Sequence, residues 1–255
     1  MRFMCAARTD VGVVRSGNED TYLMASDRGF FVVADGMGGH AAGEVASDMA
    51  SRLVAEEFRP VRGMSDDELM AQMVSAIRSA NGAIFHRTIA EEDKRGMGTT
   101  VTALALLPRR YLIGQVGDSR AYLLRGGVLT QITKDHSYVQ EQVDAGRLTA
   151  VEARVHPYAN VITRCVGSNG DVVPDLYLGT LEADDLILLA SDGLTGMLDD
   201  DDLLEILSAD LDLEQMIDKL IADANHRGGL DNITTILVKV EAIAPPTGEV
   251  PAIRG

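Results

Sequence analysis

Apolar and polar positions divide the chain into stretches of two periodicities. Residues 2–8 and 21–34 carry short apolar or β-prone segments separated by polar and Gly turns, which predicts antiparallel strands rather than strand-helix-strand units. From Gly43 to Phe58, Val45, Ala46, Met49, Ala50, Leu53 and Val54 recur at helical spacing, and from Asp66 to about Ala90 Leu69, Met73, Ile77, Ala80 and Ile84 do the same. Both stretches predict amphipathic helices with one face to bury, the second capped by Ser65 or Asp66. A second β series is expected at 99–107, 111–116, 121–125 and 128–132, joined by links short enough to imply hairpin neighbours. Residues 135–160 turn polar and weakly helical, the pattern of an insertion or flap. Strands resume at 161–165, 173–178 and 186–190, helices follow at about 202–208 and 213–226, and a strand at 233–240 closes the series. That order fits an α+β chain with a sheet-on-sheet core and helices outside. It is expected to form one domain over 1–242, with 243–255 as a flexible tail or linker.

The run Phe30-Phe31-Val32-Val33-Ala34 ends abruptly in Asp35-Gly36-Met37-Gly38-Gly39-His40. A buried strand can hold the carboxylate at its end firmly, and glycine behind it lets a backbone carbonyl approach a ligand closely. An acid plus a free carbonyl suits a hard cation. A lone Asp-Gly is also an ordinary hairpin turn, but Leu186-Ile187-Leu188-Leu189-Ala190-Ser191-Asp192-Gly193 repeats the arrangement. Asp20 and Asp231 lie beside further apolar or β-prone segments. Several acids at strand edges read as one site.

Composition narrows the partners. Asp+Glu 39 against Lys+Arg 23 gives a net charge of −16, which disfavours a nucleic-acid backbone and favours a cation or a basic protein face. Two cysteines, Cys5 and Cys165, are too few for a disulfide framework and fit a reducing cytoplasm. Neither begins a Cys-x5-Arg phosphate loop, since Val11 and Asp171 stand six residues on. No apolar run reaches the ~20 residues of a membrane helix, and the N-terminus lacks a signal-peptide pattern.

Taken together, Arg15-x-x-Asn18-Glu19-Asp20, Ala34-Asp35-Gly36-Met37-Gly38-Gly39, Gly96-Met97-Gly98-Thr99-Thr100, Gly117-Asp118-Ser119-Arg120, Ser191-Asp192-Gly193 and Asp231-Asn232 resemble the metal-dependent protein phosphatases of the PPM/PP2C family in its compact bacterial form, over about residues 3–240. The resemblance implies a four-layer α-β-β-α sandwich of two antiparallel sheets flanked by helix pairs, and hydrolysis of phosphoserine and phosphothreonine in proteins. It implies two Mn²⁺ or Mg²⁺ ions, with Asp35 bridging them, the Gly36 carbonyl on one, Asp192 and Asp231 on the other, and Glu19 and Asp20 completing the second ion's sphere directly or through water. Such a pair of cations lowers the pKa of water and neutralises phosphoryl charge, and both ions prefer oxygen ligands. Asp118 with Asp192 is open as a third, weaker metal site, against a turn-fixing role. Arg15 is expected to clamp the substrate phosphate.

His40 is a candidate general acid for the leaving oxygen. The eukaryotic pattern places that histidine directly after Asp-Gly, where Met37 stands here. His136 and His156 read as structural or substrate-proximal. Asp199-Asp200-Asp201-Asp202 lacks the alternating ligands of a calcium loop and reads as a solvated helix N-terminus. Met70 and Met73 read as helix core, and no Walker A loop is present. The expected protein is a cytoplasmic, monomeric phosphatase opposing a Hanks-type Ser/Thr kinase and acting on phosphorylated proteins. An anti-anti-sigma factor is a narrower candidate substrate, and a catalytically silent phosphoprotein-binding pseudophosphatase is the non-enzymatic alternative.

Overall fold

The computed structural model describes residues 1–38, 41–61 and 63–243. Among these the strands are β1 (Arg2–Asp10), β2 (Asp20–Ala25), β3 (Phe30–Met37), β4 (Gly98–Thr99), β5 (Val101–Leu107), β6 (Arg110–Val116), β7 (Arg120–Arg125), β8 (Val128–Gln131), β9 (Asp175–Thr180), β10 (Leu186–Ala190) and β11 (Ile233–Ala242). The helices are α1 (Ala41–Glu57), α2 (Asp66–Ala90), α3 (Tyr138–Asp144), α4 (Ala150–Arg154), α5 (Asp192–Thr195), α6 (Asp200–Leu207) and α7 (Leu213–His226). One sheet runs β1-β11-β10-β7-β8, the other β2-β3-β5-β6-β9 with β4 beside β3, and every pairing is antiparallel.

β3 shows why the layers stack as they do. Its side chains alternate between faces, and both faces are covered. Phe30 and Val32 join the core under α1 and α2, where Phe30 stacks on Phe58 with centroids 5.1 Å apart. Phe31 and Val33 point into the layer between the sheets, with Ile187, Leu189, Ile236 and Val238. On the far side Leu188, Leu194, Ile217 and Leu220 pack α5 to α7 against the first sheet. Each such fully buried side chain contributes about 1.5–3 kcal/mol of transfer free energy. The result is the α-β-β-α sandwich.

Two expected features differ. The link Gly117–Ser119 does not close a hairpin: β6 pairs with β5 and β9, whereas β7 pairs with β10 and β8. The chain crosses there from one sheet to the other, which places Asp118 at the end of the sandwich. Residues 161–165 are not a strand either. They make only the isolated bridge Ser137↔Ile162, and Thr99↔Val166 follows, so this segment is tied down at points along the flap's return. The flap itself holds α3 and α4. No helix among the described residues is long and apolar enough to cross a membrane. His40, like the tail from Ala244 onward, lies outside the described residues.

Candidate active site

Four chain crossings deliver acids to one end of the sandwich. Asp20 opens β2 directly opposite Asp35 in β3, and β3 continues two residues past that acid to Met37. Asp118 sits in the crossover between sheets and is 8% exposed. Asp192 follows β10 as the first residue of α5, and Asp231 lies just before β11. The Asp192 and Asp35 carboxyls lie close enough to interact directly. Asp20 Oδ2 accepts from Ser191 Oγ at 2.8 Å, while Asp20 Oδ1 and Asp192 Oδ1 are buried without a hydrogen-bond partner.

Burial and like charge set their protonation. Desolvation, then repulsion from Asp20, Asp192, Asp118 and Asp231, pushes the Asp35 carboxyl well above the usual range. Asp118 moves the same way through desolvation and Asp192. Asp192 rises by desolvation and Asp231, against the opposing bond from Asp35 and the charges of Arg120 and Arg15. Asp20 is pushed up to about 7 by desolvation, opposed by hydrogen bonds from Thr234 and Ser191. Without a counter-charge, these groups share protons.

Neighbouring residues fix the backbone under the acids. The Asp35 N–H donates to Thr100 Oγ1 at 2.9 Å, and its carbonyl accepts from Thr99 Oγ1 at 2.9 Å and Thr100 N at 2.8 Å. Asn232 accepts from the Glu19 N–H at 2.8 Å and donates to the carbonyls of Val11 and Gly17, both at 2.9 Å. It thereby clamps the loop that carries Arg15. Arg15 Nη2 donates to Asp231 Oδ2 at 2.6 Å. Glu19 lies against α1, where a Cβ on Gly43 would overlap its Oε2, so only glycine admits the carboxylate there.

His136 takes the structural role its sequence setting suggested, while its partners escaped the sequence reading. His136 is buried; its Nδ1 accepts from the Gly117 N–H at 3.0 Å and its Nε2 lies 3.1 Å from Asp175 Oδ2. Burial lowers its pKa, which leaves a neutral ring holding the turn of Asp118. Gly117, at φ +107, would drive a Cβ against the Thr100 side chain. Arg120 forks onto Asp135 at 2.7–3.1 Å. The partners are 15 to 39 residues apart, and nothing local in the sequence marks them.

The acids open onto a cleft of about 850 Å³. Arg15, Asp118, Asp192 and Asp231 line one part, and flap residues and the start of α6 line the rest.

The family model for protein phosphatase 2C matches residues 15–237. This chain belongs to the protein phosphatase 2C family. It is 38% identical over 236 residues to the serine/threonine phosphatase stp of Listeria monocytogenes serotype 4b, covering 91% of this chain and 94% of that protein. Among solved structures, the S. agalactiae serine/threonine phosphatase superposes with TM-score 0.88 at 38% identity, covering 94% of this chain and 100% of that one. The catalytic domain of the phosphatase PstP in complex with two manganese ions gives TM-score 0.83 at 39% identity, covering 94% and 99%.

As a phosphatase 2C domain, the chain offers a donor set suited to hard divalent cations: carboxylates, backbone carbonyls and no cysteine or histidine among the converging acids. Among the described residues no three such side chains already close around one point. The two orphaned carboxylate oxygens and the crowding of buried acids are what a cation would relieve. The residues therefore fit the group.

Proposed function

We infer that this enzyme, a protein-serine/threonine phosphatase of the 2C type, hydrolyses phosphoserine and phosphothreonine in proteins at a centre of two divalent cations, Mn²⁺ or Mg²⁺. The observation that carries the reading is the convergence of Asp20, Asp35, Asp118, Asp192 and Asp231 with Arg15 at one end of the sandwich, on four separate parts of the chain. Asp35 and the Gly36 carbonyl, with Asp192 and Asp231, would hold the cations. Glu19 and Asp20 would complete the second ion's sphere, directly or through water, and Asp118 with Asp192 would offer a weaker third site. Bound there, the cations supply Lewis acidity that makes water a better nucleophile and offsets phosphoryl charge.

The chain's own groups do the rest. Arg15 stands at the mouth with its side chain 54% exposed, oriented by Asp231, and its planar fork matches two phosphoryl oxygens. The Asn232 clamp keeps that loop over the acids. Asp35 is fixed by strand pairing and by Thr99 and Thr100, so little reorganisation is needed when substrate arrives. His40 is assigned the proton for the departing serine or threonine oxygen. Every motif acid is present, which favours turnover over silent phosphoprotein binding. The physiological setting proposed is a monomer in the cytoplasm, reversing a Hanks-type Ser/Thr kinase.

Phosphate release from a phosphothreonine peptide, with Mn²⁺ and with excess chelator, tests the reading. Release is expected with Mn²⁺ and not with chelator, and Asp35→Asn should lower it by at least about 100-fold. Equal release in chelator would overturn it.

A further inference from the structure

α2 buries a polar side chain within its apolar stripe. Asn81 stands four residues after Ile77 and three before Ile84 and is 1% exposed, where an amide costs free energy unless it is hydrogen-bonded. Both ends of the amide are used on one short loop. Asn81 Oδ1 accepts from the Gly167 N–H at 2.7 Å, and its Nδ2 donates to the Asn169 carbonyl at 2.9 Å. Gly167 adopts φ +92 and lies so close to α2 that a Cβ there would overlap Ile84. Two directed bonds and close contact therefore fasten this loop to the helix.

From that loop the bonding leads to the reacting acids. The two ends of the flap close on each other: the Tyr138 N–H donates to the Val161 carbonyl and the Thr163 N–H to the His136 carbonyl, both at 2.8 Å. The return then reaches Val166, which exchanges two backbone bonds with Thr99 in β4, at 2.8 and 3.0 Å. On its other edge β4 pairs with the end of β3, Thr99 opposite Gly36 and Gly98 opposite Met37. Thr99 Oγ1 also donates to the Asp35 carbonyl at 2.9 Å. A strand of two residues takes its place from whatever holds its edges. One edge of β4 carries the backbone of Asp35 and Gly36, and the other leads through Val166 to Asn81.

We propose that Asn81 is a positioning residue for the metal centre: acting through Gly167, Val166 and Thr99, it holds the root of the flap and the backbone of Asp35 and Gly36 in one register. The proposal rests on the two-cation reading above. Asn81 does not line the cleft, so its effect passes through the bonded chain. Without its amide, Gly167 is released from α2 and the Thr99–Val166 bridge loses its backing. The Asp35 carboxylate and the Gly36 carbonyl then lose part of their fixed geometry, and cations bind less tightly. Coupling of this kind is reciprocal, so ions held at Asp35 must in turn tighten the loop at Gly167.

The test measures Mn²⁺ affinity by calorimetry in wild type, Asn81→Leu, Thr99→Val and the double variant, each folded at the working temperature. Loss of a group bonded directly to a metal ligand weakens binding by about 10–100-fold. Asn81 acts through intermediates, so Asn81→Leu should weaken it by roughly threefold to tenfold. The double variant should bind little worse than Thr99→Val alone, because both losses run through one bridge. An Asn81 that only stabilised the fold would lower the thermal midpoint and leave the affinity of the folded protein unchanged. A second measurement needs no substitution: in wild type, Mn²⁺ should slow hydrogen exchange at the Val166 and Gly167 amides by a larger factor than at Leu220 in α7. Unchanged affinity in folded Asn81→Leu, losses that multiply in the double variant, or no added protection at Val166 and Gly167 would overturn the proposal. Absence of saturable Mn²⁺ binding in wild type would overturn the two-cation reading and the proposal with it.

Discussion

Asp20 ties stability to protonation. Its carboxyl is buried, receives hydrogen bonds from Ser191 and Thr234, and sits at about 7 rather than the ordinary 3.8. Below about 4 the folded and unfolded chains both carry the proton. Between about 4 and 7 only the folded chain keeps it, so in the metal-free protein this residue lowers stability as pH rises, by on the order of a few kcal/mol in full. Thermal midpoints in chelator should therefore fall from pH 5 to pH 8, and Asp20→Asn, which can still accept from Ser191, should flatten that slope. Parallel slopes would refute the assignment. At this scale the acids were legible because each lies beside an apolar or β-prone stretch and falls in a family-like motif. His136 read as structural or substrate-proximal, but its partners did not, and Asp175 and Gln115 were not legible, since their roles depend on residues such as Tyr177 brought in by the fold.

Elements with local punctuation were readable to within about two residues: α6, capped by Asp199, begins at Asp200 rather than near 202. α2 begins after Ser65, whose side chain accepts from the Glu68 N–H while Glu68 bonds back to the Ser65 N–H, and α7 has the same box between Asp212 and Gln215. Ser65→Ala should cost about 1 kcal/mol in chemical denaturation with little change in turnover, whereas an unchanged midpoint would mean that packing alone holds the start of α2. Strand identity was also legible, but partnership was not. Gly117–Ser119 looks like a tight hairpin link and instead carries the chain between sheets, because alternation reports a strand's buried face and says nothing of which edge it joins. Residues 161–165 are β-prone, yet their bridge is the isolated Ser137↔Ile162, with Thr99↔Val166 just beyond, since the described flap residues offer no second strand.

The whole molecule stacks three apolar layers so that one end of two sheets presents acids from β2, β3, the sheet crossover, α5 and the approach to β11. A net charge of −16 intensifies that negative end and makes cations its natural counterpart. The account's central claim is that Asp20, Asp35, Asp118 and Asp192, crowded together at this end, exchange shared protons for divalent cations. Calorimetric titration of the metal-free protein with Mn²⁺ near pH 6, in two buffers of different ionisation enthalpy, tests it directly. The account predicts saturable binding of two ions with net proton release, weakened severely by Asp35→Asn. Absence of saturable binding, or binding without proton release and indifferent to Asp35→Asn, would contradict it.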